Sequence, residues 1–237
     1  MRSRTWRRAA AALLAAVPLA FSEGALAQSY CASDGVPAPT ALVERFINAD
    51  CEACWSDAAT PQAAKGEVAV DWVLPGSRGE DAPLSAIATR DALERLQATG
   101  RKAPDQAEGF TQRAQSHAAT LRVAHGLPFS GYMGASIELK PGRGTWTAWL
   151  LLVESVPAGM EGSPVARNVV RNALQPAWNN KSPLTKEEQL RRFESRPMSI
   201  PAGANPDRLR VIGWIEDARG RIRGIAESRC VPASTKE

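Results

Sequence analysis

An α/β fold, with a sheet flanked by helices and a β-rich C-terminal elaboration, is what three features of this chain predict. An apolar run with strand character, residues 41–47, leads into Cys51-Glu52-Ala53-Cys54, a vicinal dithiol spaced for the start of a helix. Two stretches, residues 85–98 and 110–124, set apolar residues among polar ones at roughly helical spacing. Beyond residue 144 the pattern changes: residues 208–216 and 221–227 alternate apolar and polar around a turn at Gly220 and predict a closing hairpin.

Taken in chain order, residues 1–27 read as an export signal. Arg2, Arg4, Arg7 and Arg8 form a basic start, residues 9–20 are apolar, and Ala25-Leu26-Ala27 fits a small-residue cleavage site near Ala27. The apolar run falls short of the roughly 20 residues a permanent membrane span needs. A periplasmic or secreted protein without a permanent membrane anchor is expected. Losing the leader removes four arginines and Glu23, which takes the net charge from +4 to about +1. With no basic stripe left, the phosphate-neutralising surface that nucleic acid requires is missing, and nucleic acid is excluded as a partner.

Residues 29–40, rich in Pro, Ala and Gly, predict an irregular lead-in. Asp50 is a good N-cap, so a helix is expected from Cys51 through Ala59, ended by Pro61. Residues 67–74 are β-branched and alternating and predict a second strand, stopped by Pro75-Gly76. The two helices at 85–98 and 110–124 follow. Residues 132–139 and 145–153 predict strands joined as a hairpin through Pro141-Gly142-Arg143-Gly144, residues 168–171 an extended run, and residues 185–193 one helix. Strand, helix, strand, helices and hairpin is the order of a thioredoxin-like layer. The organisation expected is a signal at 1–27, a thioredoxin-like module at 28–144, a β-rich half at 145–231 packed on it, and a disordered tail at 232–237.

The chemistry is carried by cysteine. Cys51, at the positive end of its helix, is the candidate nucleophile, and Cys54, one turn on, the resolving thiol. Such a pair passes two electrons without a cofactor, and none is expected. Export implies an oxidising compartment, and with Cys51 and Cys54 paired by proximity, Cys31 and Cys230 are left as a structural disulfide joining the termini. On the chain-entropy model a closure of that length contributes up to about 5 kcal/mol.

Other chemistries have less behind them. No metal site is expected, since His117 and His125 are the only imidazoles; copper handling by the dithiol with His125 is a minor alternative. Trp55 stands where haem attachment requires histidine, and Ser130 lacks the glycines of a nucleophile elbow. The tryptophans, Trp55 among them, read as packing residues.

Several segments, in order, resemble the DUF1223 family of exported bacterial thioredoxin-like proteins. They are the strand-to-dithiol stretch 43–54, Val70-Asp71-Trp72, Phe110-Thr111-Gln112-Arg113, Asn168-Val169-Val170-Arg171 and the closing stretch 211–226. The family usually has Gly before its first cysteine and Pro after its second, where this chain has Asp50 and Trp55. Gly134 stands where the fold's cis-proline is expected. The resemblance implies an exported thiol-disulfide oxidoreductase acting on exported protein thiols or small thiols. The alternative is a non-enzymatic binding or structural protein whose Cys51–Cys54 bridge is static.

Overall fold

The computed structural model describes residues 31–115, 119–178 and 182–230. The leader, the C-terminal tail and His117 lie outside the described residues. In chain order the elements are β1 (Cys31–Ala32), β2 (Ala41–Asn48), α1 (Glu52–Trp55), β3 (Val68–Leu74), α2 (Asp91–Ala98), β4 (Ala107–Arg113), β5 (Thr120–Phe129), β6 (Tyr132–Lys140) and β7 (Thr147–Val156). They continue with β8 (Arg167–Leu174), α3 (Lys186–Leu190), β9 (Arg192–Ser199), β10 (Leu209–Glu216), β11 (Ile222–Glu227) and β12 (Arg229–Cys230).

This is a mostly β protein, which overturns the thioredoxin-like α/β expectation. The strands form a seven-stranded sheet, in the order β11-β10-β7-β8-β3-β2-β4, and a five-stranded sheet, in the order β12-β1-β5-β6-β9. Val123, Ile137 and Leu139 of the smaller sheet pack against Leu150, Leu152 and Val211 of the larger, so the sheets share a core. Helices do not flank both faces: among the described residues only α2 lays a helix of two turns on the large sheet, burying Ala92 and Leu96 against Trp72 and Trp214.

The failed elements have physical reasons. The helix expected at 110–124 is instead β4 and β5. Phe110 and Gln112 lean inward while Thr111 and Arg113 face solvent, a period of two, and Phe110 stacks on Phe46 of the neighbouring strand with centroids 5.7 Å apart. The helix expected from Cys51 to Ala59 stops after one turn because short polar side chains compete for its backbone. The Ser56 hydroxyl donates to the Glu52 carbonyl, Asp57 accepts from the Ala59 amide, and the Thr60 hydroxyl donates to the Asp57 carbonyl. The hairpin expected between β6 and β7 does not form; β6 pairs with β5 and β9, β7 with β8 and β10, and the turn carries the chain from one sheet to the other.

Other expectations match. β2 and β3 lie parallel, Leu42 opposite Val68 through Asn48 opposite Leu74, and are buried along nearly their whole length, as strands covered on both faces should be. The closing hairpin is β10 with β11. The helix expected at 185–193 forms in part: α3 opens on a capping box, Thr185 and Glu188 each satisfying the other's backbone amide, but it ends at Leu190, and Arg192 and Phe193 begin β9.

Buried charge organises both faces of β2. On one face Glu44 meets Arg95 of α2 through two hydrogen bonds of 2.7 Å, and Arg95 pairs with Glu216 of β10 at 2.7 Å. The guanidinium lies 5.2 Å from the Trp149 ring and 5.0 Å from Trp214. Burial opposes its charge, but the two glutamates outweigh that penalty and hold Arg95 above its ordinary value. Removing one member of such a group strands its partners. Arg95→Ala is therefore expected to destabilise the fold by about 3–5 kcal/mol in urea denaturation, and a loss under about 1 kcal/mol would show that the cluster does not tie α2 to the sheet.

Candidate functional site

The Cys51–Cys54 bridge lies at the C-terminal end of β2. It forms as predicted, with S–S 2.00 Å and Cα–Cα 5.3 Å, and both residues are half-buried. Cys51 caps α1, and the Cys54 amide donates to its Sγ at 3.2 Å. A single turn carries little of a helix macrodipole, so the polar group turned on the Cys51 sulfur is this one directed N–H.

Asp50, next to Cys51, turns away from it. Its carboxylate accepts from the Ser77 amide at 2.7 Å, the Ser77 hydroxyl at 2.8 Å and the Arg78 amide at 3.3 Å. Gly76 makes room for this docking, since a Cβ there would sit 2.2 Å from an Asp50 oxygen. Asp50 thus spends its charge on the 76–78 turn.

Behind the dithiol is a group the sequence reading did not assemble. Asp71, fully buried in β3, accepts from Arg45 of β2 at 2.5 Å and pairs with Arg167 of β8 at 3.1 Å, while the Asn168 amide adds a third donor at 2.9 Å. Two cations on one carboxylate leave a net positive charge. Arg167 reaches past Asp71 to the dithiol turn, donating to the Trp55 carbonyl at 2.7 Å, the Thr60 hydroxyl at 3.2 Å and the Cys54 carbonyl at 3.4 Å. Its guanidinium lies 4.9 Å from the Trp55 ring, and the Trp55 indole donates to the Glu161 carbonyl at 2.7 Å. Burial pushes Arg167 below its ordinary value while Asp71 pulls it back, and an arginine remains protonated throughout. Trp55 packs as expected. The available signal for this cluster was the charged residue placed mid-strand in Val43-Glu44-Arg45-Phe46 and Val70-Asp71-Trp72.

Beside Cys54 opens a cleft of about 330 Å³, lined by Arg45, Arg167, Phe46, Asp57, Pro61 and residues 106–109. One wall belongs to β4, the edge strand of the seven-stranded sheet. Cys54 therefore borders a space whose lining mixes the arginines Arg45 and Arg167, the carboxylates of Asp57 and Glu108, and the apolar Phe46 and Pro61.

The second bridge also forms: Cys31 and Cys230, 199 residues apart, are joined with S–S 1.97 Å. His125 lies here. Among the described residues the sulfur and imidazole group that comes together is Cys31, His125 and Cys230, so His125, the imidazole of the copper alternative, is placed at the terminal bridge and not at Cys51 and Cys54.

No family model matches this chain, and no curated protein matches it either. A crystal structure of the protein AGR_C_4864 from Agrobacterium tumefaciens, a structural-genomics target, is 12% identical, with 81% of this chain and 93% of that chain covered and a TM-score of 0.43. A likeness at that level establishes neither fold nor function.

The hydrogen bonds from Ser77 and Arg78 hold the Asp50 carboxyl below its ordinary value of 3.8. A depressed native value means the stabilisation is complete above the unfolded value and fades as pH falls through the native one. The Ser77 amide resonance is thus expected to hold steady as pH falls to 3.8 and to move only below it, and in Asp50→Asn to lose that titration. A shift centred above 3.8 would contradict the anchor.

Proposed function

We propose that Cys51 and Cys54 are a working dithiol, and that the protein is an exported thiol-disulfide oxidoreductase acting on protein thiols or small thiols. The observation that carries this is a half-buried CxxC bridge whose Cys54 borders an open cleft, with the Cys54 amide aimed at the Cys51 sulfur. A bridge kept only for stability gains nothing from an adjoining cleft.

In the reducing direction the Cys51 thiolate attacks one sulfur of a substrate disulfide. The S–S bond breaks, a mixed disulfide forms, and the other substrate sulfur leaves as thiolate and takes up a proton. Cys54 then gives up its proton and attacks the Cys51 sulfur, closing the bridge and releasing the second substrate thiol. Two electrons have passed to the substrate. Oxidation of a substrate dithiol is the same sequence reversed.

Each neighbour has a part. The Cys54 amide favours charge on Cys51, as a nucleophile or leaving group requires. Arg167 holds the Cys54 and Trp55 carbonyls, so the turn keeps its shape whether the bridge is open or closed. The edge strand β4 offers backbone groups at the cleft wall to an extended peptide. The beta architecture supplies the turn from the end of a buried parallel pair rather than from a helix-flanked layer.

Cys54→Ser removes the resolving thiol. Incubated with glutathione disulfide, that variant is expected to retain one glutathione on Cys51, visible by intact mass, whereas the parent ends with the Cys51–Cys54 bridge and no adduct. At neutral pH Cys51 should be alkylated by iodoacetamide about tenfold faster than Cys54 in the reduced parent. No adduct in Cys54→Ser, with equal and slow alkylation of both thiols, would establish the bridge as static.

A further inference from the structure

The terminal bridge has a feature that a staple does not need. Cys230, Cys31 and His125 lie in register on three adjacent antiparallel strands, Cys31 facing Cys230 on β12 and His125 on β5, which puts three soft or borderline donors in one row. The two Sγ atoms and one nitrogen of the imidazole lie within 4.8 Å of one another. His125 is 96% buried by side-chain and backbone packing, being only 4% exposed.

The imidazole is set as a ligand would be. Nδ1 lies 2.8 Å from the Gly126 carbonyl, which can only accept, so Nδ1 carries the proton. Nε2 is buried and has no hydrogen-bond partner among the described residues. A buried nitrogen left without a partner is costly, and a metal-ligating histidine commonly donates its Nδ1–H to a carbonyl, which fixes the ring so that Nε2 faces the metal.

We propose that Cys31, Cys230 and His125 form a redox-gated copper(I) site: closed as a disulfide it binds nothing, and reduced it holds one ion through two thiolates and Nε2. Two thiolates and an imidazole suit a soft ion content with three ligands, whereas zinc would ask for a fourth. Metal–ligand bonds of about 2.0–2.3 Å place trigonal donors about 4 Å apart, within the present spacing after the sulfurs part. Opening requires a reductant, which is an external dithiol. Its thiolate attacks Cys230, the exposed partner, while Cys31, 1% exposed, leaves as the thiolate beside His125. A second attack releases Cys230, the external dithiol becoming a disulfide and the chain gaining two electrons and two protons. Copper(I) then displaces both thiol protons.

The test uses the full mature chain with Cys51→Ser and Cys54→Ser, so that the other pair binds no metal. Reduced anaerobically with dithiothreitol, freed of it and titrated against the copper(I)–bicinchoninate complex, this protein is expected to take one copper(I) per chain; left oxidised, it should take none. His125→Ala in the same background should weaken the affinity by at least about tenfold, since even the loss of an outer-shell partner of a ligand costs 10- to 100-fold. Circular dichroism of each reduced sample reports whether the sheets persist. Equal affinity with and without His125 overturns the proposal, as does a folded, reduced chain that takes no copper. Loss of the β signal on reduction that copper(I) does not restore overturns it as well.

Discussion

The shared carboxylate of Asp71 is the interaction on which the rest of this architecture leans. It joins β2 through Arg45, β3 through its own backbone and β8 through Arg167, and through Arg167 it reaches the carbonyls that shape the dithiol turn. Buried ions are costly unless paired and hydrogen-bonded in full. Here Arg45 also donates to the Pro61 and Ala166 carbonyls and Arg167 to the Ser163 hydroxyl, so nearly every donor is used; Arg45 Nε is the buried exception. A group built this way specifies one arrangement more than it adds stability. The arrangement it specifies presents Cys51 and Cys54 beside a cleft.

The neighbouring residue of β2 does the same on the opposite face. Glu44 points to Arg95 of α2, which also holds Glu216 of β10, and Arg45 points to Asp71 of β3, which also holds Arg167 of β8, because consecutive strand residues face opposite ways. A register slip of one residue would put each charge where its partner is not. Two adjacent charges in an otherwise apolar strand therefore lock the centre of the sheet, and parallel β3, with Trp72 donating to Glu44 and Asp71 holding both arginines, repeats the device.

What the sequence made legible was local. The apolar runs of β2 and β3 and the alternation of β10 and β11 read as strands because both are set by their own residues. The CxxC pair was visible from spacing, and the terminal bridge from the two cysteines left over. Residues 110–124 misled because Phe110, Ala114, Ala118 and Leu121 sit at helical spacing, while the decision was made far away: β4 pairs with β2, and its Phe110 completes a stack over Phe46. The Arg45, Asp71 and Arg167 group was illegible for the same reason, since its members come together across 26 and 96 residues of chain. His125 was noted for the wrong cysteines, because only strand pairing reveals which sulfurs it faces.

The two bridges have different surroundings: Cys31–Cys230 joins strands of the five-stranded sheet, and Cys51–Cys54 closes the turn at α1 that follows β2. The central claim is that the Cys51–Cys54 couple opens and closes within the native fold. Equilibrating the intact chain in defined thiol buffers, with mass-resolved alkylation of each cysteine, tests this most directly. The couple should titrate as one two-electron step between about −120 and −270 mV, the span of known thiol-disulfide oxidoreductases, with the β-sheet circular dichroism unchanged. A pair that yields only when the sheets unfold, at a potential below about −300 mV, would contradict it.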